Sequence, residues 1–127
     1  MSCPDCDGEL AVFAVPEPLE AHAPEGALTV GLCADCLGLH PTEVPPSEGE
    51  SRPLADALPE GDAGAAVALL VGMLDSLALN RAGIVDCVEF AERSGTDVHL
   101  TLDRLQRAAT EPHFDVARRQ SQLDAFL

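Results

Sequence analysis

Apolar residues follow two different rhythms along this chain. From Leu10 to Val15 (LAVFAV) and from Leu28 to Leu32 (LTVGL), short runs of aliphatic, β-branched and aromatic residues are bounded by Pro, Gly and acidic positions, which predicts two strands. Leu37 to His40 is a candidate third strand. Between the first two lies PEPLEAHAPEGA, a Pro-bounded loop with room for one helical turn around Leu19 to His22. From about Val44 to Gly61 the rhythm stops: VPPSEGESRPLADALPEG reads as a linker or extended strap, whose Leu54, Ala55 and Leu58 can dock on a neighbouring core.

Beyond Gly61 the period becomes helical. Asp62 is placed to cap a first helix reaching about Leu79, apolar on almost every side, which must be covered by other elements or by a partner chain. A second helix is predicted over Arg81 to Arg93, with Ile84, Cys87, Val88 and Ala91 on one stripe and Asp86, Glu89 and Glu92 on a solvated face. Gly95 reads as its stop and Thr96 as the N-cap of a third helix carrying Val98, Leu102, Leu105 and Ala109, ended by Pro112. The final HFDVARRQSQLDAFL predicts a fourth, with Phe114, Leu123 and Phe126 as anchors. The expected class is α+β: short antiparallel strands over residues 1–44, a Pro/Gly/acidic strap over 45–61, and a small bundle of three to four helices over 62–127.

Composition narrows the setting. The 127 residues are 46% hydrophobic, enough for a modest core, and carry a net charge of −15 from 22 acidic against 7 basic residues. Every basic residue is Arg; there is no Lys, and Phe13, Phe90, Phe114 and Phe126 are the only aromatics of the Phe, Tyr and Trp class. An acidic, Lys-free, Ala/Val-rich surface is suited to molar salt, where self-repulsion is screened within ~3 Å. The N-terminus leads straight into a Cys box without a basic or apolar signal region, so a cytoplasmic location is expected. Ala63 to Leu79 is Ala/Gly-rich and contains Asp75, which favours a buried helix over a membrane span.

Chemistry concentrates in the cysteines. Four of the five form two boxes of one pattern, C-x-D-C-x-G: Cys3 and Cys6 in CPDCDG, Cys33 and Cys36 in CADCLG. In such a box the chain turns tightly enough for two thiolates to hold one ion, while backbone N–H groups help to carry the sulfur charge. Pro4 fixes φ at the first turn, and Gly8 and Gly38 let the chain leave each turn without a side chain in the way. Two boxes make a closed set of four thiolates, and one structural zinc ion is the expected cofactor. Disulfides fit poorly with an odd cysteine count and no export signal. Iron accepts the same ligands, but the aromatic packing expected around such a redox centre is missing. With four thiolates complete, His22 and His40 read as surface histidines, and Cys87, on the buried stripe of its helix, as a small core residue rather than a reactive thiol.

Residues 1–44 thus resemble a zinc ribbon, with one departure: the common knuckle has Gly directly after its second Cys, where this chain has Asp7 and Leu37. CPDCDGEL, the later CADC and the acidic Lys-free background together resemble an uncharacterised group of haloarchaeal proteins with an N-terminal CPxC ribbon followed by helices. That resemblance implies metal binding and supplies no substrate or active residues. The sequence has no Gly-rich phosphate loop and no nucleophile box, so a non-enzymatic protein without a small-molecule substrate is expected. The leading expectation is an adaptor that binds a protein partner or itself through the apolar first helix around Leu69, Leu70 and Met73. An alternative is a nucleic-acid-binding regulator, since AERSGTDVHLTLDRL spaces Ala91, Gly95 and Leu102 as a helix-turn-helix would and puts His99, Thr101, Arg104 and Arg107 on the following helix. The net charge opposes phosphate contact. A weaker alternative is a thiol-redox or metal-handling protein.

Overall fold

Alternation in the first strand sends its side chains into two different interiors. The computed structural model describes residues 2–47 and 52–126. In it β1 (Leu10–Ala14), β2 (Thr29–Cys33) and β3 (Leu39–Pro41) form an antiparallel sheet in the order β1-β2-β3, with Leu10 opposite Cys33 and Gly31 opposite His40. Leu10 and Val12 point to one side and pack with Cys3, Cys33 and Cys36. Ala11 and Phe13 point to the other, into the main core, as do Val30 and Leu32 of β2. A Cβ on Gly31 would sit 2.9 Å from the Leu10 side chain, so a larger residue there would have to displace Leu10. The outer edge of β1 is closed by Ser47, whose N–H donates to the Val12 carbonyl at 2.9 Å and whose Oγ accepts from the Val12 N–H at 3.0 Å.

The main core runs without interruption from the sheet into the helices. Helix α1 (Gly61–Leu74) lies across the sheet, α2 (Arg81–Arg93) packs on α1, and α3 (Val98–Ala108) and α4 (Val116–Phe126) complete the helical region. Phe13, Leu32, Leu58, Leu69, Ile84 and Leu123 belong to one buried cluster, so packing crosses both composition changes in the chain. The strap docks through Leu58, and Arg52, only 7% exposed, lies over the Phe13 ring and donates Nη2–H to the Leu58 carbonyl. Because Leu69 and Leu70 are fully buried by the chain itself, the apolar character of α1 is used internally and does not provide a surface for a partner. No helix among the described residues is long and apolar enough to cross a membrane.

Three helix ends differ from expectation. α1 stops at Leu74 rather than near Leu79, because Asp75 and Ser76 turn the chain into a short 3-10 segment (Leu77–Leu79) that reverses it towards α2. Asp and Ser compete with helix by bonding backbone locally. The N-cap of α1 is Glu60, Asp62 sitting in the first turn where its charge suits the helix dipole. Thr96 belongs to the end of α2, donating its N–H to the Ala91 carbonyl at 3.0 Å, beside Gly95 at φ +88. The cap of α3 is Asp97, whose Oδ1 accepts from the Leu100 N–H at 3.0 Å. On α4, Leu123 is buried as expected and Val116 joins it; the Phe126 side chain falls outside the described residues.

Candidate metal centre

Each C-x-D-C-x-G box forms the same tight turn. The N–H of Asp7 donates to the Cys3 carbonyl at 2.9 Å, and that of Leu37 to the Cys33 carbonyl at 3.0 Å. The residue after each second cysteine adopts a left-handed conformation, Asp7 at φ 64 and Leu37 at φ 61, the role that Gly commonly fills. Leu37 is completely buried, and its packing offsets a backbone cost of about 1–2 kcal/mol. A Cβ on Gly8 would lie 2.7 Å from Cys33 Sγ and 2.7 Å from the Asp35 carboxylate, so this glycine is the opening through which the second box meets the first.

Backbone donors repeat with the sequence. Cys33 Sγ accepts from the Asp35 and Cys36 N–H groups at 3.4 Å each, and Cys36 Sγ from Gly38 N–H at 3.4 Å. Cys3 accepts from Asp5 and Cys6, and Cys6 from Gly8. The four sulfurs all lie within 4.8 Å of one another, with Cys3 and Cys36 at 3.8 Å and Cys6 and Cys33 at 3.4 Å. A tetrahedral zinc ion with bonds of ~2.3 Å puts its sulfurs roughly 3.8 Å apart, so the cluster fits such an ion.

Ionisation makes the same demand. Burial opposes the thiolates of Cys3 and Cys33, but the backbone N–H groups outweigh it and hold both below the ordinary thiol range. At Cys36 burial prevails and, with the neighbouring sulfurs, pushes the thiol up to about 12. Cys6 is favoured as a thiolate by the Gly8 N–H, yet the adjacent Cys33 sulfur and burial leave it raised. Two of the four thiols, Cys6 and Cys36, are thus disfavoured as thiolates without a cation beside them, and the donor set is soft.

The two boxes are held unequally. The second is tied to the segment before α4: Glu111 N–H donates to the Asp35 carbonyl and His113 N–H to the Cys36 carbonyl, both at 2.9 Å, and Thr110 Oγ1 bonds the Asp35 carboxylate at 3.1 Å. In the first, Asp5, Cys6 and Asp7 are exposed.

Both histidines read as surface residues are half-buried and engaged. His40 Nε2 lies 3.4 Å from Cys3 Sγ and 3.6 Å from the Asp5 carboxylate, while His22 Nε2 meets the Asp86 carboxylate at 2.9 Å. The β3 pairing that delivers His40 to the cysteines is not visible in a count of ligands; its spacing four residues beyond Cys36 was the available signal. On α3, His99 is drawn to Asp124 of α4 at 2.8 Å, while Arg104 and Arg107 are exposed. Glu89 and Glu92 are solvent-facing.

Cys87 stands apart, only 1% exposed within the helical core, where burial and then the Asp86 charge push its thiol up to about 12 from 9.0. Folding raises this pKa, so the associated stability is full below the unfolded value and is lost as pH climbs from about 9 towards 12. The loss approaches about 1.4 kcal/mol per pH unit within that window. The chain has no Lys and no Tyr in that range, and Cys36, also pushed up to about 12, shares it. Denaturation midpoints measured between those pH values are expected to fall less steeply in Cys87→Ala than in the native chain.

Fold and site together define a small α+β protein in which a three-stranded antiparallel sheet holds a four-cysteine, metal-competent cluster against four helices. The chain belongs to DUF6276, a family of unknown function, whose model matches residues 2–127. Comparison with curated proteins and with solved structures gave no match.

Proposed function

We propose that Cys3, Cys6, Cys33 and Cys36 hold one zinc ion as a structural clamp. On this reading the protein is a non-enzymatic zinc-ribbon protein of a halophilic cytosol, acting through contacts with a protein partner or a second copy. The observation that carries it is the arrangement of four sulfurs within 4.8 Å on two matching turns. Zinc bound there would tie the two turns together at the end of the paired β1 and β2, supplying on the order of 10 kcal/mol to folding. Four thiolates complete a tetrahedral shell and leave no position for substrate, which supports a structural role. The halophilic setting is supported by the charge of −15 and the replacement of all Lys by Arg. With α1 covered, partner contacts fall to the outer surfaces, where the first cysteine turn stands exposed.

Metal analysis of the purified chain tests this reading. One zinc per chain is expected, with Cys3, Cys33 and Cys36 shielded from maleimide until a chelator is added, and a melting temperature that rises from roughly 0.1 M to molar KCl. A metal-free chain of equal stability would overturn the clamp; a melting temperature insensitive to salt would overturn the halophilic setting.

A further inference from the structure

The clamp is symmetric in sequence and asymmetric in access. Cys3, Cys33 and Cys36 are 1%, 0% and 8% exposed, whereas Cys6 is open to solvent. Cys6 and Cys36 each accept one backbone N–H, from Gly8 and Gly38, whereas Cys3 and Cys33 each accept two, so exposure separates Cys6 from Cys36. Each N–H···S bond withdraws charge from a thiolate, so the sulfur with fewer donors and more solvent is the better nucleophile. Directly across the cluster, 3.4 Å away, lies Cys33 Sγ, with Gly8 leaving the space between the two boxes free of a side chain.

We infer that Cys6 is a modification site for small electrophilic oxidants of the peroxide class, and that Cys33 resolves the product as a Cys6–Cys33 disulfide with release of the metal. This rests on the zinc reading above. The Cys6 thiolate attacks one peroxide oxygen and the O–O bond breaks; hydroxide leaves, takes a proton and becomes water, and Cys6 is left as the sulfenic acid. The Cys33 thiolate then attacks the Cys6 sulfur, the S–O bond breaks, and a second hydroxide is protonated to water. Two thiolates have lost two electrons in total, and one hydrogen peroxide with two protons has become two waters. The sulfurs approach from 3.4 Å to a bond of about 2.05 Å. Two of the four ligands are consumed, so the ion leaves.

The bond would form between the anchored box and the exposed one. While the ion is still held, Asp35, Cys36 and the 110–113 segment stay joined by their backbone bonds, so the first movement falls on the first turn and Ser2–Glu9. Over that first step Cys87, buried in the helical core, serves as an internal reference thiol.

The test uses the zinc-loaded full chain at neutral pH. Hydrogen peroxide is added, zinc release is followed with a chromogenic chelator, and peptides are mapped after trapping sulfenic acid with dimedone. Expected are dimedone adducts on Cys6 at least ten-fold above any other cysteine, a Cys6–Cys33 disulfide when dimedone is omitted, and one zinc released per disulfide. First adducts on Cys3, Cys33 or Cys36, a disulfide within either box, or oxidation without zinc release would each overturn the proposal while leaving the clamp intact. A chain that carries no zinc at the outset overturns the clamp and this inference together.

Discussion

Cys33→Ser is expected to unfold the helical half of the chain along with the sheet. Cys33 is fully buried, pairs across the sheet with Leu10, and belongs to the small apolar cluster of Leu10 and Val12 around the cysteines. With zinc held as proposed, removing its sulfur forfeits much of a binding free energy of about 10–16 kcal/mol, comparable to the ~5–15 kcal/mol by which a native domain is stable. The effect spreads because β1 and β2 supply Phe13, Val30 and Leu32 to the same core as Leu69 and Ile84. Far-ultraviolet circular dichroism at 25 °C should therefore lose most of its helical signal, and chelation of the native chain should reproduce the loss in one transition. Full helix content with only the sheet disordered would show that the helices stand without the clamp.

The second large effect needs a single methyl group. Gly64→Ala places a Cβ against the Pro59 carbonyl and 2.7 Å from the Phe13 ring, at the point where α1 crosses β1 beneath the strap. A carbonyl on the backbone cannot rotate away as a side chain does, so either the strap or the helix must shift. Helix propensity favours Ala over Gly by about 1 kcal/mol, yet overpacking of this kind costs typically 1–3 kcal/mol and sometimes more. A net destabilisation of roughly 2 kcal/mol is expected, read as a lower denaturant midpoint at unchanged slope. At exposed Gly95 the reason for glycine is different: its φ of +88 makes Ala there a backbone problem with no steric neighbour.

Element types were legible because two periods succeed one another without overlap. α2 is found over Arg81–Arg93 as the stripe of Ile84, Cys87, Val88 and Ala91 predicts, and the strands lie within a residue or two of LAVFAV, LTVGL and LGLH. The cysteine cluster was legible because ligand type and spacing are both constrained by one ion. The ends of helices were harder: Asp62, Thr96 and the stretch past Leu74 all satisfy local capping or apolar rules, but the chain reversal that chooses among them depends on where α2 and α3 must lie. Burial of α1 was harder still. A helix apolar on every side is the same string whether sheet and helix or a second molecule covers it. The position of Thr110 to His113 behind the second box depends on long-range pairing that no local pattern encodes.

The two-sided burial of β1 also bears on how this sequence is free to change. Inserting or deleting one residue within Leu10–Ala14 would exchange its faces, sending Phe13 towards the cysteines and Leu10 or Val12 into the helical core. Neither interior could accept the other's side chains without repacking. Length variation is thus easier where the chain faces water, as at the exposed Glu25 and Gly26, and forbidden along a strand that serves two interiors at once.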